Sequence, residues 1–244
     1  MNAYEAYGKL SELLSTPTMI AGREYSQKET ESLIANDVLY KLRPGQSNRL
    51  LEIGCNVGVI LRPLSEHVAE AVGLDHPSCL RKFSELGVPA NVDLVAGQWP
   101  DVKPEGSFDR ILVYSVLQYL SGPDAARLFI NECLRTLRPG GALMLGDVPN
   151  VDSKRRFLSS SFGRRFSEEY SKRNSTAGEV TNEQMMRDEL FSGVKTGPPF
   201  LTDEFILGLL AHVRERGMEG YAVPQPPDLP FSYTREDILI RRRN

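Results

Sequence analysis

The sequence predicts an α/β fold built on a mostly parallel, seven-stranded sheet. Short apolar segments typical of buried strands alternate with segments of helical periodicity between residues 49 and 147. Parallel neighbours need a crossover connection, so this alternation predicts helices on both faces of the sheet. The last two apolar segments have no helix between them, which predicts an antiparallel hairpin at one edge.

Each element follows from a local pattern. The predicted strands are 49–53, 71–75, 92–96, 109–114 and 142–147, followed by the hairpin strands 221–223 and 237–241. The predicted helices are one ending at 42, then 59–67, 78–86, 123–137 and 202–216. The segment RPGG at 138–141 is expected to stop the helix before the fifth strand.

The length of 244 residues suits one domain carrying an insertion. We divide it into an N-terminal helical cap (1–48), a ligand-binding half (49–149), a helical lid insertion (150–201) and a C-terminal helix with the strand hairpin (202–244). The N-terminal 25 residues are expected to fold over the same mouth as the lid, and the polar segment 174–178 to act as its gate.

The most informative segment is LLEIGCNVG, residues 50–58, an apolar run that ends in a carboxylate and a glycine-spaced turn. Glycines there let the backbone turn sharply into a helix and pass close to a ligand. A second strand end, AVGLD at 71–75, places an acid about twenty residues on, where ribose hydroxyls are commonly bound. Together the two strand ends predict a nucleotide-cofactor site.

The loop residues select the cofactor. A dinucleotide site needs a third glycine where this chain has Val59, and the carboxylate of Glu52 repels a pyrophosphate. An acid suits a ligand that carries an ammonium and a sulfonium, as S-adenosylmethionine does. Asn56 replaces the commonest glycine; asparagine tolerates left-handed backbone angles, and its amide is expected to cap the following helix.

This loop, together with FDRILVYSVLQY at 108–119 and LRPGG at 137–141, resembles the class I S-adenosylmethionine-dependent methyltransferases. The resemblance covers roughly residues 32–243, apart from the insertion. It implies a Rossmann-like fold whose last two strands form an antiparallel hairpin. It also implies that the loop holds the amino-acid end of the cofactor, while an acid reads the ribose.

Candidate cofactor residues follow from that placement. Asp75 is expected to accept hydrogen bonds from the ribose, and His76 either flanks the adenine or lies half in solvent. The amide of Gln98 can accept from the adenine amino group, and Trp99 either stacks on the base or belongs to the core. The full set is Glu52, Gly54, Cys55, Asn56, Gly58, Asp75, His76, Gln98, Trp99 and Tyr114. For Cys55, packing is favoured over a nucleophilic role.

The acceptor is expected over the carboxyl ends of the strands. Ser115, Gln118 and Tyr119 follow the fourth strand, and Asp147 ends the fifth. Asp147 is our candidate base for a hydroxyl acceptor, the alternative being a cap or ion-pair partner of the insertion.

Arginines interleaved with Phe162, Phe166 and Tyr170 in the insertion suggest either an amphipathic lid with a solvated charged face or contacts to an anionic acceptor. Arg155 and Arg156 are the candidates for those contacts. No motif of metal ligands is visible, so we expect a mechanism without a metal.

Composition argues against several classes of function. A net charge of -3 gives no basic field for nucleic acid or anionic membrane, and charges interrupt the apolar stretches well before a membrane-spanning length. Three cysteines form no metal-type spacing and favour a reduced compartment. We therefore expect a soluble, cytoplasmic protein with no membrane partner.

The leading interpretation is a small-molecule methyltransferase, with a hydroxyl as acceptor. The segments LDHP (74–77), YSVL (114–117) and GDVPN (146–150) resemble bacterial enzymes that modify sugars and other building blocks of surface polysaccharides. The alternatives are an RNA methyltransferase, a cofactor-binding partner subunit without catalysis, and a nicotinamide oxidoreductase. Val59 and the terminal hairpin disfavour the last of these.

Overall fold

The computed structural model describes residues 1–176, 182–194 and 199–244 of the chain. A single seven-stranded sheet has the strand order β3-β2-β1-β4-β5-β7-β6. The strands are β1 (Arg49–Ile53), β2 (Glu70–Asp75), β3 (Val92–Ala96), β4 (Phe108–Tyr114), β5 (Leu137–Pro149), β6 (Glu219–Pro224) and β7 (Arg235–Arg241). Strands β1 to β5 pair in parallel, and β7 runs antiparallel to both β5 and β6. The predicted fold is confirmed.

Helices cover both faces of the sheet. They are α1 (Ala3–Leu13), α2 (Pro17–Ile20), α3 (Glu31–Leu42), α4 (Leu61–Ser65), α5 (Pro77–Glu85), α6 (Pro123–Thr136), α7 (Val151–Ser159), α8 (Ser161–Thr176), α9 (Asn182–Ser192) and α10 (Asp203–Glu215). Short 3₁₀ turns span Tyr25–Thr30 and Leu117–Tyr119. Within the described residues, no helix combines the length and apolar character needed to cross a membrane.

Two apolar layers sandwich the sheet because successive side chains of a strand point to opposite faces. In β1, Leu51 packs into the layer under α6 and α10, whereas Leu50 packs into the layer under α3, α4 and α5. A smaller cluster joins Leu10 of α1 and Ile20 of α2 to Val57 of the glycine loop. The N-terminal helices are thereby packed directly against that loop.

The helix predicted at 59–67 is shorter than expected, and Asn56 does not cap it. Helix α4 starts at Leu61 after an Ile60 cap that makes no side-chain hydrogen bond. The Asn56 amide is used elsewhere: Oδ1 accepts from the Val57 N–H at 2.8 Å, and Nδ2 donates to the Ile20 carbonyl at 3.3 Å. That side chain ties the loop to α2 instead.

The predicted stop segment 138–141 lies within β5 and is not a turn before it. Phe108 pairs with Leu137, and the β4–β5 register then shifts before Arg110 pairs with Ala142. Gly140 has φ 73°, a left-handed conformation that glycine adopts without strain. Residues 138–141 therefore form an irregular stretch of β5 and not the turn that the sequence predicted.

In the insertion, α7 and α8 carry an aromatic cluster. Phe157 stacks on Tyr233 with ring centroids 5.2 Å apart, and Phe162 and Phe166 contact both rings. Phe166 is nevertheless 41% exposed. Residues 177 and 178 of the predicted gate lie outside the described part of the chain.

Candidate active site

A cavity lies over the carboxyl ends of β1, β2 and β4; we call it the loop cavity. Its empty space amounts to about 1060 Å³, open solvent at its mouth included. Its lining combines the glycine loop with residues of the N-terminal segment. Among the lining residues are Tyr4, Tyr7, Arg23, Glu52, Gly54, Cys55, Asn56, Asp75, Gln98, Trp99, Tyr114 and Ser115.

The loop passes close to its neighbours, as its glycines predict. Gly54 has φ 83°, and a Cβ there would lie 2.6 Å from a methyl carbon of Val116. Gly58 has φ 77°, and a Cβ would overlap the ring of Phe83. Gly54 lines the cavity, whereas Gly58 does not and allows the loop to pack on α5.

Asp75 ends β2 and points at the glycine loop. One carboxylate oxygen accepts from the Asn56 N–H and the other from the His76 N–H, each at 2.6 Å. Burial raises the pKa of the Asp75 carboxyl above its ordinary value, and these two hydrogen bonds oppose the rise. The side chain is therefore held in one orientation at the cavity wall.

Glu52 is 2% exposed, and its Oε2 has no hydrogen-bond partner among the described residues. Desolvation raises the pKa of Glu52 to about 8, against the attraction of Arg23. Arg23 lines the same cavity; its Nη1 is 3.5 Å from Glu31 but makes no hydrogen bond there within the described chain. The buried Glu52 and the partly buried Arg23, which pairs with Glu31, both line this cavity, and each has a buried polar atom without a hydrogen bond in the described chain.

The opposite part of the lining is less polar. Trp99 belongs to the apolar core and also lines the cavity; its indole N–H donates to the Phe129 carbonyl at 3.2 Å. Gln98 lies beside it on the wall. Cys55 is buried, and desolvation holds the pKa of its thiol well above the ordinary value, which does not suit a nucleophile.

His76 does not line the cavity. Its Nδ1 accepts from the Ser78 N–H at 3.1 Å and so caps α5, while its ring packs edge-on against Tyr4 at 4.8 Å. The cap and the packing against α1 explain the position of this side chain.

A second cavity, the strand-end cavity, adjoins the loop cavity above β4 and β5. The two share Tyr7, Ala21, Arg23, Tyr114, Ser115 and Tyr119. The strand-end cavity adds Gln27, Gln118, Asp147, Phe231 and Arg235, among others. Gln118 Oε1 is buried there without a hydrogen-bond partner in the described chain, and the Tyr7 and Tyr119 hydroxyls hydrogen-bond at 3.0 Å.

Asp147 lies at an irregularity in β5 with φ 57°. Its Oδ2 accepts from the Ser115 hydroxyl and from Arg235 Nη1. Burial raises the pKa of the Asp147 carboxyl, and the Arg235 guanidinium opposes the rise. The carboxylate is thus a partly buried, oriented acceptor of hydrogen bonds in the wall of the strand-end cavity.

Left-handed backbone conformations concentrate at these cavities. Among the described residues, non-glycine residues with positive φ are Arg43, Asn56, Ser115, Asp147 and Phe231. All of them except Arg43 line one or both cavities. Such strained conformations persist where surrounding contacts enforce them and cluster at functional sites.

A buried ionic network contacts the backbone of Asp147. Asp237 is fully buried, and its Oδ1 accepts from the Asp147 N–H at 2.8 Å and from Gln225. Asp237 Oδ2 accepts from Lys41 Nζ at 2.6 Å, and Lys41 also donates to Asp37 at 2.6 Å. This network bridges α3 and β7 and fixes the backbone at Asp147.

The insertion arginines lie elsewhere. Arg155 pairs with Asp152 on its own helix, and Arg156 pairs with Asp203 at the start of α10. Neither lines the two cavities. Arg23 and Arg235, which no sequence pattern indicated, lie at the cavity walls instead. Among the described residues, no group of three or more His, Cys, Asp or Glu side chains is arranged to hold a metal ion.

The strand order, the glycine loop and the terminal hairpin are those of the Rossmann-like fold of class I S-adenosylmethionine-dependent methyltransferases, as the sequence predicted. Residues 51–145 match the family described as "Methyltransferase domain", and S-adenosylmethionine is the cofactor of this class.

Curated relatives match part of the chain. Nodulation protein S of Rhizobium tropici is 27% identical over 141 residues, which are 57% of this chain and 58% of that protein. Ubiquinone biosynthesis O-methyltransferase of Agrobacterium fabrum is 33% identical over 122 residues, which are 48% of this chain and 46% of that protein. The chain thus spans about half the length of these relatives.

Solved structures share the fold. The N-methyltransferase NodS of Bradyrhizobium japonicum WM9, in complex with S-adenosylhomocysteine, superposes with a TM-score of 0.61 at 18% identity, covering 100% of this chain and 99% of that one. Phosphoethanolamine N-methyltransferase 1 of Haemonchus contortus superposes with a TM-score of 0.67 at 16% identity, covering 97% of this chain and 47% of that one. At these identities the likeness concerns the fold alone. The predicted resemblance to polysaccharide-pathway enzymes is not confirmed by these relatives.

Proposed function

We propose that this protein transfers a methyl group from S-adenosylmethionine to a hydroxyl of a small molecule in the strand-end cavity. One observation carries the proposal: the two cavities meet at Tyr114 and Ser115, and the Asp147 carboxylate lies on the acceptor side of that junction. The cofactor supplies a methyl group already activated on a sulfonium, so the protein chiefly has to align acceptor, carbon and sulfur.

The loop cavity fits the cofactor chemically. The methionine end of S-adenosylmethionine carries an ammonium and a carboxylate, which match the unsatisfied Glu52 Oε2 and Arg23 Nη1. Asp75 would accept from the ribose hydroxyls, and Gln98 with Trp99 would face the base. Gly54 lines this cavity without a Cβ, so a ligand would be able to approach the backbone there.

The strand-end cavity fits a hydroxyl acceptor. Asp147 would accept the proton that an attacking hydroxyl loses, and Ser115 and Arg235 orient its carboxylate. The buried, unpaired Gln118 Oε1 would accept a hydrogen bond from a neighbouring donor of the acceptor. A sugar-type hydroxyl is the acceptor that we favour.

The test combines cofactor binding with product analysis. Calorimetric titrations with S-adenosylmethionine, S-adenosylhomocysteine and NAD are expected to show binding of the first two alone. Methyl glucoside and glucosamine, each incubated with methyl-labelled cofactor, then offer a hydroxyl and an amine. Label on oxygen supports the proposal, and label on nitrogen alone makes the enzyme an N-methyltransferase. Cofactor binding without transfer to any panel of small molecules favours a non-catalytic partner subunit.

Replacing Asp75 by alanine is expected to weaken S-adenosylhomocysteine binding at least tenfold. The change removes charge-assisted hydrogen bonds to the ribose, each worth on the order of 1.5–3 kcal/mol. Titration calorimetry measures the effect, and Asp93→Ala on the neighbouring strand is the matched control because Asp93 is exposed and outside the cavity lining. An unchanged affinity in Asp75→Ala contradicts the ribose assignment.

Cofactor affinity is expected to rise with pH between 6 and 8. Glu52 has a pKa of about 8, so it is mostly neutral at pH 6 and becomes ionised as the pH approaches 8. The ligand's ammonium favours the ionised form, so the affinity is expected to change by up to about tenfold per pH unit. Titrations of S-adenosylhomocysteine measure this slope, which Glu52→Gln is expected to flatten. A wild-type affinity independent of pH over this range excludes the Glu52 pairing.

A further inference from the structure

An aromatic groove runs outward from the strand-end cavity between the insertion and the loop that joins β6 to β7. It encloses about 2000 Å³, open solvent included. Its apolar lining comprises Phe157, Leu158, Phe166, Tyr170, Phe231 and Tyr233. This groove lies outside the loop cavity, and none of the roles assigned so far uses it.

Several aromatic side chains of the groove are exposed to solvent. Phe166 is 41% exposed, Phe231 is 51% exposed and Tyr233 is 37% exposed. Scattered apolar residues are ordinary on a protein surface, but a contiguous aromatic patch in a concave setting indicates a binding surface.

The groove is continuous with the strand-end cavity, because Gln27, Pro230, Phe231 and Arg235 line both. The Arg235 guanidinium lies over the Phe231 ring at 4.9 Å while its Nη1 donates to Asp147. If a molecule longer than the cavity places its reactive group at Asp147, the rest of that molecule therefore extends directly into the groove.

The chemistry of the lining selects the occupant. Three of its hydroxyls are used internally, because Thr30 donates to the Gln27 carbonyl, Ser232 to the Pro227 carbonyl and Thr234 to the Phe231 carbonyl. The hydroxyls of Ser167, Tyr170 and Tyr233 also belong to the lining. A chain of sugar rings would exchange many hydrogen bonds with water for few from this lining, whereas a hydrocarbon loses none.

Charge contributes little to this surface. Besides Arg235, which is paired with Asp147, the charged side chains of the described lining are Lys154 and Asp228, one of each sign. The surface of the aromatic groove is thus suited to a neutral, apolar ligand.

We infer that the methyl acceptor is an amphiphile: its polar, methyl-accepting head occupies the strand-end cavity, and an apolar tail of hydrocarbon type lies in the aromatic groove. This inference rests on the proposed function, since it names the acceptor class of the same site. The tail contributes affinity through its area, and the head determines where the methyl group goes.

The test uses the full chain saturated with S-adenosylhomocysteine and titrated with hexyl, heptyl and octyl glucoside below their micellar concentrations. Affinity is expected to increase about three- to fourfold with each added methylene, the gain for burying one such group. Maltotriose, which extends the head with sugar rings instead, is expected to bind no better than methyl glucoside.

Two substitutions on α8 give a matched comparison. Phe166 and Phe162 lie about one turn apart, are similarly exposed and both contact Phe157 and Tyr233, but only Phe166 lines the groove. Phe166→Gln is expected to weaken octyl glucoside binding at least threefold, and Phe162→Gln to leave it unchanged.

The outcomes separate the inference from the proposed function. If S-adenosylhomocysteine does not bind, the proposed function fails first. If it binds but affinity is independent of alkyl length, or both substitutions act alike, the apolar-tail assignment alone is overturned. Maltotriose binding that Phe166→Gln weakens would assign the groove to a saccharide.

Discussion

Asp147→Asn is expected to lower turnover about a hundredfold or more while S-adenosylhomocysteine affinity stays near that of the parent protein. Asparagine keeps the shape of the side chain but cannot take a proton, and general-base catalysis contributes typically 10²–10⁴-fold. The carboxylate is also the partner of Arg235 Nη1 and the Ser115 hydroxyl, so the substitution removes the charge that both donors face. Steady-state rates with saturating cofactor and any hydroxyl acceptor that the panel identifies measure the effect.

The control is Asp93→Asn, which changes an exposed acid of β3 that lines neither cavity nor the aromatic groove. The dependence of turnover on pH distinguishes a catalytic base from a structural residue. Turnover of the parent protein is expected to rise with pH through the raised pKa of Asp147, because a base acts only when deprotonated. The turnover of Asp147→Asn is expected to lack this rise with pH. Near-normal turnover with the cofactor bound would mean that proximity alone produces the rate and that Asp147 is structural.

Lys41→Met is expected to cost about 3–5 kcal/mol of unfolding free energy at neutral pH. Removing one partner of a buried ion pair leaves an uncompensated charge, and here two carboxylates, Asp37 and Asp237, lose the same ammonium. Urea unfolding measures the loss as a lower midpoint with an unchanged slope.

Lys82→Met is the matched control for this change. Lys82 pairs with Glu85 at 3.5 Å on the surface of α5, where an ion pair contributes at most about 1 kcal/mol. Burial raises the pKa of Asp37, so the Asp37 carboxylate becomes neutral as the pH falls, and the difference between Lys41→Met and the parent is expected to narrow at acid pH. A loss below about 1 kcal/mol at neutral pH contradicts a role for Lys41 in holding the network.

Features set by short stretches of chain were predictable from the sequence. The first strand, the glycine loop and the acid that ends the second strand are local signals. A positive φ, as at Gly54, favours glycine at that position, and a buried strand requires a short apolar run. The terminal hairpin was predictable for a related reason: two strands without a helix between them leave few ways to join the sheet.

Features set by distant contacts were not predictable. Arg23 reaches the loop cavity because α2 packs on the glycine loop through Ile20, and nothing in the residues around Arg23 records that contact. Asp237 looks like an ordinary strand residue until β7 pairs beside β5 and brings it under Asp147.

One local pattern misled. The RPGG stretch at 138–141 combines residues that commonly end helices and form turns, but a shift in strand register places it within β5. The candidate contacts of Arg155 and Arg156 with an acceptor stay a prediction. In the structure Arg155 pairs with Asp152 on its own helix, and chain folding brings Asp203 to Arg156.

The N-terminal segment closes over the loop cavity through the apolar cluster of Leu10, Ile20 and Val57 and through hydrogen bonds, among them Tyr7 to Tyr119 at 3.0 Å and Asn56 to the Ile20 carbonyl at 3.3 Å. Hydrogen bonds of this kind contribute about 1 kcal/mol each, and contacts of a terminal segment break on the timescale of loop and helix motions. Exchange of spent for fresh cofactor through this side requires the first helices to detach, while the sheet stays folded. The residence time of the cofactor would then depend on how often α1 lifts away, so that a change in the first dozen residues alters the pace of successive turnovers without touching a reacting group.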